Sequence, residues 1–302
     1  MALDPGIANL LSFIEQAGYP PMHEGTVEAA RKGFAALAAA SIGPDGPIPV
    51  GSVEESSVAG MRARIYRPEA EGPVPTVLFL HGGGFVIGSL ETHDNVCRRL
   101  CVDTGAVVVS VDYRLAPEHP FPAAAEDAIA AAKEVVGSLD RYGGSDVVGV
   151  AGDSAGGNLS AIVTQAVAGF AAQLLIYPAV DMLGSYESRT TNAEGYFLDM
   201  ATMTWFFLTY VAGQSVEPGD LRHSPIAGVR GDLPPAVVAT AEFDPLRDEG
   251  LAYAAALEAA GVPVDSVQCA GMVHGFVDMA LHSPAADAWI RDMNRRFAAL
   301  LR

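Results

Sequence analysis

Short apolar runs recur along the chain, and each is followed by a stretch whose apolar positions have helical spacing. The runs cover residues 76–80, 106–111, 147–151, 173–178, 236–241 and 264–269. A strand that is buried on both faces has a continuous apolar sequence, and strands that alternate with helices form a mainly parallel sheet. The pattern therefore predicts an α/β fold with helices on both faces of the sheet.

Two segments depart from this alternation. Residues 1–50 have the pattern of helices, and residues 182–222 combine loops with a short aromatic-rich helix. We expect both segments to form a helical cap over the carboxyl edge of the sheet, where open α/β sheets bind ligands. The core then comprises residues 51–181 and 223–302, and it begins with a predicted hairpin whose turn contains Ala59 and Gly60.

The composition restricts the classes of partner. Of the 302 residues, 50% are hydrophobic and 18% are charged, with 18 Lys and Arg against 36 Asp and Glu, which gives a net charge of −18. The high hydrophobic content argues against intrinsic disorder. Nucleic acids and anionic membrane surfaces attract basic proteins, so the acidic balance argues against both as partners. We expect a small neutral or apolar molecule as the ligand.

The sequence favours a cytoplasmic protein without stable membrane insertion. Asp4 lies where a secretory signal carries positive charge, and the apolar stretch after it is short. Residues 159–180 carry no charge, but Gln165, Gly169 and Pro178 interrupt them. A buried helix followed by a buried strand explains this stretch better than a membrane span. The three cysteines are an odd number and form no disulfide framework.

The strongest chemical signal is the pentapeptide GDSAG at residues 152–156, which lies between an apolar run and a helical stretch. A serine hydroxyl becomes an effective nucleophile where a sharp strand-to-helix turn projects it towards a base. Gly152 and Gly156 remove the Cβ atoms that would clash in such a turn. An ordinary glycine-rich turn is the alternative, but the placement between strand and helix favours Ser154 as a nucleophile.

A second signal, HGGGF at residues 81–85, directly follows the first of the six apolar runs. Consecutive glycines let backbone N–H groups point into a cavity, as the stabilisation of an oxyanion requires. A phosphate-binding loop is the alternative, because Gly82, Gly84 and Gly88 also follow a strand. Their spacing differs from the G-x-G-x-x-G fingerprint, and the sequence contains no G-x-x-x-x-G-K-[ST] motif, so we expect no nucleotide cofactor.

For a serine on a strand–turn–helix of this kind of fold, the acid and then the base follow the nucleophile along the chain, in the order serine, aspartate or glutamate, histidine. Three histidines lie beyond Ser154. His274, in the loop sequence GMVHGF after the last apolar run, is placed where it could reach the serine. His282 has the pattern of a surface residue, and His223 lies at the predicted boundary of the cap.

Asp244 is the favoured acid because it follows the apolar run 236–241 and so lies at the carboxyl end of a predicted strand. Pro245 comes next, which suits the first turn of a helix. Glu242 and Asp248 are the alternatives, and their positions favour roles at the strand end and in the helix.

Several other polar residues have structural explanations. Three residues with four-residue spacing are candidate metal ligands: His93, Cys97 and Cys101. One helix would leave such a site short of ligands, so we expect them to be buried on a helix that faces the core. Arg114 and Glu118 could bind substrate, but we favour an ion pair that fixes a proline-rich loop. For Asp153 we expect a structural hydrogen bond.

These motifs together resemble the bacterial hormone-sensitive-lipase-like family of α/β-hydrolases, in its GDSAG-type branch. They cover roughly residues 75–280 in the family's order. The matching segments are HGGGFVIGSLETHD (81–94), DYRLAPEHPFPAA (112–124), GDSAGGNLSA (152–161), EFDPLRDEG (242–250) and GMVHGF (271–276). The resemblance implies an α/β-hydrolase fold with a helical cap.

The resemblance also implies a serine carboxylesterase for short- to medium-chain esters that needs no metal or cofactor. The implied catalytic residues are Ser154, Asp244 and His274. The implied donors of the oxyanion hole are the N–H groups of Gly83, Gly84 and Ala155. The residues predicted to bind substrate are Phe85, Trp205 and Phe206.

Other hypotheses remain open from the sequence. The same fold also serves lactonases, amidases, deacetylases and lipases. A non-catalytic small-molecule receptor is a further alternative, although receptors related to this family lack the histidine that His274 matches. A homodimer is the one protein partner that we retain as a hypothesis.

Overall fold

A mixed sheet of eight strands is the centre of the computed structural model, which describes residues 2–18, 20–217 and 219–302. The strands lie in the spatial order β1-β2-β4-β3-β5-β6-β7-β8. Their bounds are β1 Ser52–Val58, β2 Met61–Arg67, β3 Val74–Leu80, β4 Val107–Val111, β5 Gly144–Asp153, β6 Ala172–Ile176, β7 Ala236–Phe243 and β8 Val264–Val273.

Strands β3 to β8 all pair in parallel. Strands β1 and β2 form an antiparallel hairpin, and β2 pairs antiparallel with β4. The prediction of a mainly parallel sheet that begins with a hairpin is therefore confirmed. Strand β8 continues four residues beyond the predicted run, to Val273. The extension contains Gly271, whose φ of 76° departs from strand geometry and whose neighbourhood includes a shift of the β7–β8 register between Ala241 and Phe243, so a run of apolar residues does not mark this part of the strand.

Helices cover both faces of the sheet, as predicted. The helices of at least eight residues in the described chain are α1 Pro5–Gln16, α2 Val27–Ala40, α3 Asp94–Thr104, α4 Ala123–Val136, α5 Ala155–Ala166, α7 Met200–Val211, α8 Arg247–Ala259 and α9 Pro284–Leu300, and the short helix α6 spans Ser188–Thr191. Helices α3 and α9 pack on one face, around Phe79 of β3. Helices α4 and α5 pack on the other face, around Leu78 and Leu80.

The uncharged stretch from residue 159 to residue 180 belongs to this core. Its first part lies in α5 and its second part in β6, and most of its side chains are buried. The interpretation as a buried helix followed by a buried strand is confirmed. Within the described ranges, no helix has both the length and the apolar character that a membrane span requires.

The segments predicted to form the cap meet each other beside the carboxyl edge of the sheet. The imidazole Nδ1 of His23, from the N-terminal segment, lies 3.1 Å from the hydroxyl of Thr202 on α7. The ring of Phe206, also on α7, lies against Gly84, which follows β3. Phe197 likewise lies next to Gly275, which follows β8. The exact division into core and cap segments stays a prediction.

The packing of α9 on the sheet yields a test of stability. Phe297 is fully buried, and its ring packs so closely on β5 that a Cβ at Gly149 would lie 2.7 Å from its Cζ atom. We expect Phe297→Ala to lower the free energy of unfolding by about 3–5 kcal/mol, because the cavity cannot collapse onto a flat strand. Urea unfolding followed by circular dichroism measures the change.

Phe13→Ala is the matched control, since the Phe13 side chain on α1 is 68% exposed. We expect it to change the free energy of unfolding by less than about 0.5 kcal/mol. Equal losses in the two variants would contradict the assignment of Phe297 to the core.

Candidate active site

Ser154 occupies a strained turn between β5 and α5. Its φ of 54° and ψ of −118° are rarely adopted by a residue with a side chain. The turn is possible because a Cβ at Gly156 would overlap the carbonyl oxygen of Leu80, and a Cβ at Gly152 would overlap the carbonyl of Gly156. These two close backbone contacts explain why the turn needs a glycine on each side of the serine.

Three predicted site residues lie in one hydrogen-bonded line. The Nε2 atom of His274 is 2.9 Å from Oγ of Ser154, and its Nδ1 atom is 2.7 Å from Oδ2 of Asp244. Asp244 is completely buried and His274 is 8% exposed. The three residues follow β5, β7 and β8, so the order of strands brings together side chains that are up to 120 residues apart.

Asp244 is fixed from both sides of its carboxylate. While Oδ2 faces His274, Oδ1 accepts a hydrogen bond from the N–H of Leu246 at 2.8 Å. The side-chain amide of Asn192, in the predicted cap, donates to the carbonyl of Asp244 at 3.0 Å. The expectation that Pro245 begins a helix is wrong: α8 begins at Arg247, because the Asp244 carboxylate stabilises a separate turn before it.

The glycine-rich sequence after β3 forms a loop that faces this line of residues. Gly83 and Gly84 have φ values of 120° and 59°, and a Cβ at Gly83 would overlap the carbonyl of Ile87. Ala155 is the first residue of α5, so its N–H lacks a helical partner. In the described part of the chain, the N–H groups of these three residues make no hydrogen bond to another residue.

The three residues predicted to bind substrate lie in different surroundings. Phe206 packs against Gly84 and is also close to Trp205, with 5.2 Å between their ring centroids. The ring of Phe85 is instead stacked on Tyr210 at 4.1 Å, and Phe85 is only 4% exposed. Contact with substrate stays a prediction for all three residues.

The predicted ion pair between Arg114 and Glu118 is wrong. Arg114 binds Asp127 with three hydrogen bonds from its guanidinium, whereas Glu118 accepts two from Arg31 of α2, at 2.8 and 2.7 Å. Both charged side chains do fix the proline-rich loop, but Arg114 does so through Asp127 of α4 and Glu118 through Arg31 of α2. The residue spacing could not reveal this, because the helices approach only in the folded chain.

Arg31 is a residue that the sequence analysis did not identify. Besides holding Glu118, its guanidinium donates to the carbonyl of Val86 at 2.9 Å and to that of Ala116 at 2.9 Å. Val86 lies two residues beyond Gly84, so Arg31 ties α2 to the glycine-rich loop. One arginine in a helical stretch gives no sequence signal for such a contact.

The other histidines considered for the base lie elsewhere. His223 is buried, and its ring nitrogens contact the Ser224 hydroxyl and the Glu217 carbonyl. His282 is exposed, as predicted. His93, Cys97 and Cys101 are all buried on or beside α3, which agrees with their structural interpretation.

The serine, histidine and aspartate at the carboxyl edge of a parallel sheet, with the serine on a strand-to-helix turn, define the α/β-hydrolase architecture. The comparisons with known proteins agree with this class. A family model described as alpha/beta hydrolase fold matches residues 77–278. LipN, a carboxylic ester hydrolase of Mycobacterium tuberculosis, is 40% identical over 296 residues, which cover 92% of this chain and 77% of LipN.

Two further similarities extend over nearly the whole chain. An ethyl acetate hydrolase of Pseudomonas putida is 36% identical over 305 residues, which cover 95% of this chain and 96% of that enzyme. The solved structure of the ester-hydrolase EH1AB1, from the metagenome of Lake Arreo, is 40% identical, covers 99% of both chains and superposes with a TM-score of 0.93. The chain therefore belongs to the alpha/beta-hydrolase family, and the predicted resemblance to its hormone-sensitive-lipase-like members is confirmed.

A carboxyl group close to this site makes stability depend on pH. Desolvation raises the pKa of Asp278, which lies four residues after His274, to about 7; His93 lowers this pKa and Asp153 raises it. The folded chain thus holds a proton on Asp278 that the unfolded chain releases near pH 4. Because the folded state binds more protons in this range, its stability falls as the pH rises from about 4 to 7.

We expect Asp278→Asn to remove this loss, because asparagine stays neutral at every pH. Thermal unfolding should show a midpoint at least about 2 °C above that of the wild type at pH 8, and the gain should disappear near pH 4. A variant that is equally stabilised at both values of pH, or destabilised at pH 8, would contradict the raised pKa.

Proposed function

We propose that this protein is a serine carboxylesterase that hydrolyses short- to medium-chain carboxylic esters through an acyl-enzyme intermediate. Ser154 is the nucleophile, His274 is the general base and acid, and Asp244 orients and stabilises the imidazole. The backbone N–H groups of Gly83, Gly84 and Ala155 form the oxyanion hole. The residues assigned to the reaction need no metal or organic cofactor.

The line of hydrogen bonds from Asp244 through His274 to Ser154 carries this proposal. With Nδ1 held at 2.7 Å by the buried carboxylate, the imidazole presents Nε2 to the hydroxyl of Ser154 at 2.9 Å. A base within hydrogen-bond distance of its proton is the geometric requirement for general-base catalysis. The names of the relatives LipN and ethyl acetate hydrolase support an ester as the substrate.

Acylation begins when Oγ of Ser154 attacks the ester carbonyl carbon and its proton passes to Nε2 of His274. The negative charge that develops on the carbonyl oxygen is stabilised by the three N–H groups of the oxyanion hole. Asp244 stabilises the imidazolium without taking its proton. The tetrahedral intermediate then collapses, the C–O bond to the alcohol breaks, and His274 protonates the departing alcohol.

Deacylation repeats these steps with water. His274 takes a proton from the water molecule, whose oxygen attacks the acyl carbon of the ester on Ser154. The second tetrahedral intermediate uses the same N–H donors. When it collapses, the carboxylic acid leaves and the proton returns from His274 to Oγ of Ser154.

Replacement of the nucleophile tests the proposal. We expect Ser154→Ala to lower kcat on p-nitrophenyl acetate by about 10⁴-fold or more, because no other group can form the acyl-enzyme. Initial-rate assays on the folded variant, with circular dichroism as the check of folding, measure the loss. A folded variant that retains wild-type activity would refute the assignment of Ser154.

The scissile bond is tested with a matched pair of substrates. An ester and an amide with the same acyl group should differ in kcat/KM, with the ester faster. The reverse order would favour the amidase alternative. A protein that hydrolyses neither substrate would favour the alternative of a non-catalytic small-molecule receptor.

Two further expectations from the sequence, the cytoplasmic location and the homodimer, stay predictions.

The preference for acyl length is assigned to the predicted cap. Phe206 lies over Gly84, beside the oxyanion donors, so its ring limits the space next to the reacting carbonyl. We expect Phe206→Ala to raise the ratio of kcat/KM for octanoate over acetate by about tenfold, the lower end of the effect of one methylene in a hydrophobic pocket. A series of p-nitrophenyl esters from acetate to palmitate measures this ratio.

Leu208→Ala is the matched control, because Leu208 lies on the same helix with its side chain 61% exposed. Its profile of acyl lengths should match that of the wild type. If Phe206→Ala also leaves the profile unchanged, Phe206 does not limit the acyl site.

A further inference from the structure

Asp153 contacts the glycine-rich loop although it belongs to the nucleophile turn. Its Oδ1 atom accepts a hydrogen bond from the N–H of Gly82 at 2.8 Å, and a Cβ at Gly82 would overlap its Oδ2 atom. Asp153 directly precedes Ser154, and Gly82 directly precedes Gly83. One carboxylate thus connects the backbone that carries the nucleophile to the backbone that carries two of the proposed oxyanion donors.

This carboxylate is buried, so its charge needs compensation. Asp153 is 5% exposed, and burial opposes its ionised form. The Nε2 atom of His93 lies 3.4 Å from its Oδ1 atom, and His93 together with the N–H of Gly82 holds the pKa of Asp153 below its usual value. Burial likewise opposes the charged form of His93, but Asp153 more than offsets it and raises the pKa of His93.

The orientation of His93 is fixed by its neighbours. Its Nδ1 atom lies 2.9 Å from the hydroxyl of Thr92, and its Nε2 atom lies on the side of Asp153, 3.4 Å from Oδ1, within ion-pair distance but without hydrogen-bond geometry. The ring is completely buried, with the ring centroids of Phe34 and Phe79 at 5.9 and 6.1 Å. The His93 side chain therefore has no access to solvent, and water from the solvent cannot replace Asp153 as its partner.

None of the other titratable groups near this pair replaces His93. Burial raises the pKa values of Cys97, Tyr113 and Tyr177, so these three stay neutral. His81, 5.3 Å away between ring centroids, is desolvated to a pKa of about 3, so it is neutral and brings no positive charge. Asp278 has a pKa raised to about 7, and its charge would oppose that of Asp153. Among the described residues, His93 therefore contributes most to the stabilisation of the Asp153 carboxylate, ahead of the N–H of Gly82.

We propose that His93 is a positioning residue for the oxyanion loop and that it acts through Asp153. This inference rests on the proposed esterase function. Without His93, the Asp153 carboxylate would either take up a proton or turn from its place, and its bond to Gly82 would weaken. The N–H groups of Gly83 and Gly84 would then lose the fixed direction on which stabilisation of the oxyanion depends.

The experiment compares His93→Phe, His93→Gln and Asp153→Asn with the wild type. It measures kcat and KM on p-nitrophenyl acetate and the inhibition constant of an alkyl trifluoromethyl ketone. Oγ of the serine adds reversibly to the ketone carbon, its proton passes to His274, and the resulting hemiketal oxyanion occupies the oxyanion hole. Affinity for this compound therefore reports on the loop, whereas KM reports on binding of the ground state.

We expect His93→Phe and Asp153→Asn to lower kcat by about 10- to 100-fold, less than the 10²- to 10³-fold loss typical of a deleted donor, with KM within about threefold. The ketone inhibition constant should rise by the same factor as kcat/KM falls. His93→Gln keeps an N–H donor near the position of Nε2 but removes the charge, so its loss should lie between the wild type and His93→Phe. Cys101→Ala, at a buried site on α3, should leave ketone affinity unchanged.

Unchanged ketone affinity in folded His93→Phe and Asp153→Asn would overturn the proposal and leave the pair with a purely structural role. If His93→Phe does not fold, His93→Gln decides: a rise in its ketone inhibition constant supports the proposal, and a constant equal to that of the wild type refutes it. Failure of the esterase function itself would be distinct, because the wild type and Ser154→Ala would then hydrolyse the ester equally.

Discussion

The close contact between Gly156 and the carbonyl of Leu80 is the constraint on which the site depends. It lets α5 start directly against the end of β3, so Ser154 is held in a left-handed turn at the edge of the sheet. Neighbouring strands then place the glycine-rich loop on one side of the serine and the acid and base on the other. A side chain at position 156 would separate β3 from α5 and with them the groups that must meet.

Polar contacts between distant segments complete what the sheet begins. Asp153 joins the nucleophile turn to Gly82, and Asn192 joins a segment of the predicted cap to the backbone of Asp244. Arg31 ties α2 to the residues that follow the glycine-rich loop. Asp153 and Asn192 are buried, and the loss of a hydrogen bond by a buried group costs more free energy than the loss of one on the surface. The site is therefore braced by residues that take no part in the proposed chemistry.

Much of this arrangement could be predicted from the sequence, because it depends on local rules. Apolar runs mark the parallel strands, and the glycines around Ser154 mark the turn. The positions of Asp244 and His274 after strands follow from the order of elements. The partners of Arg31 and Glu118 could not be predicted, since several opposite charges were available and only the folded approach of α2 selects between them. For the same reason, the stacking of Phe85 on a cap tyrosine had no local signal.

Covalent labelling of the protein with a fluorophosphonate, followed by peptide mapping in a mass spectrometer, tests the central claim most directly. The phosphorus atom is attacked by an activated serine, fluoride leaves, and the adduct remains on the nucleophile. The proposed mechanism predicts one adduct per chain, located on Ser154. It predicts no adduct on protein that has first been unfolded with acid. Labelling of a different serine, or no labelling of the native protein, would contradict the account.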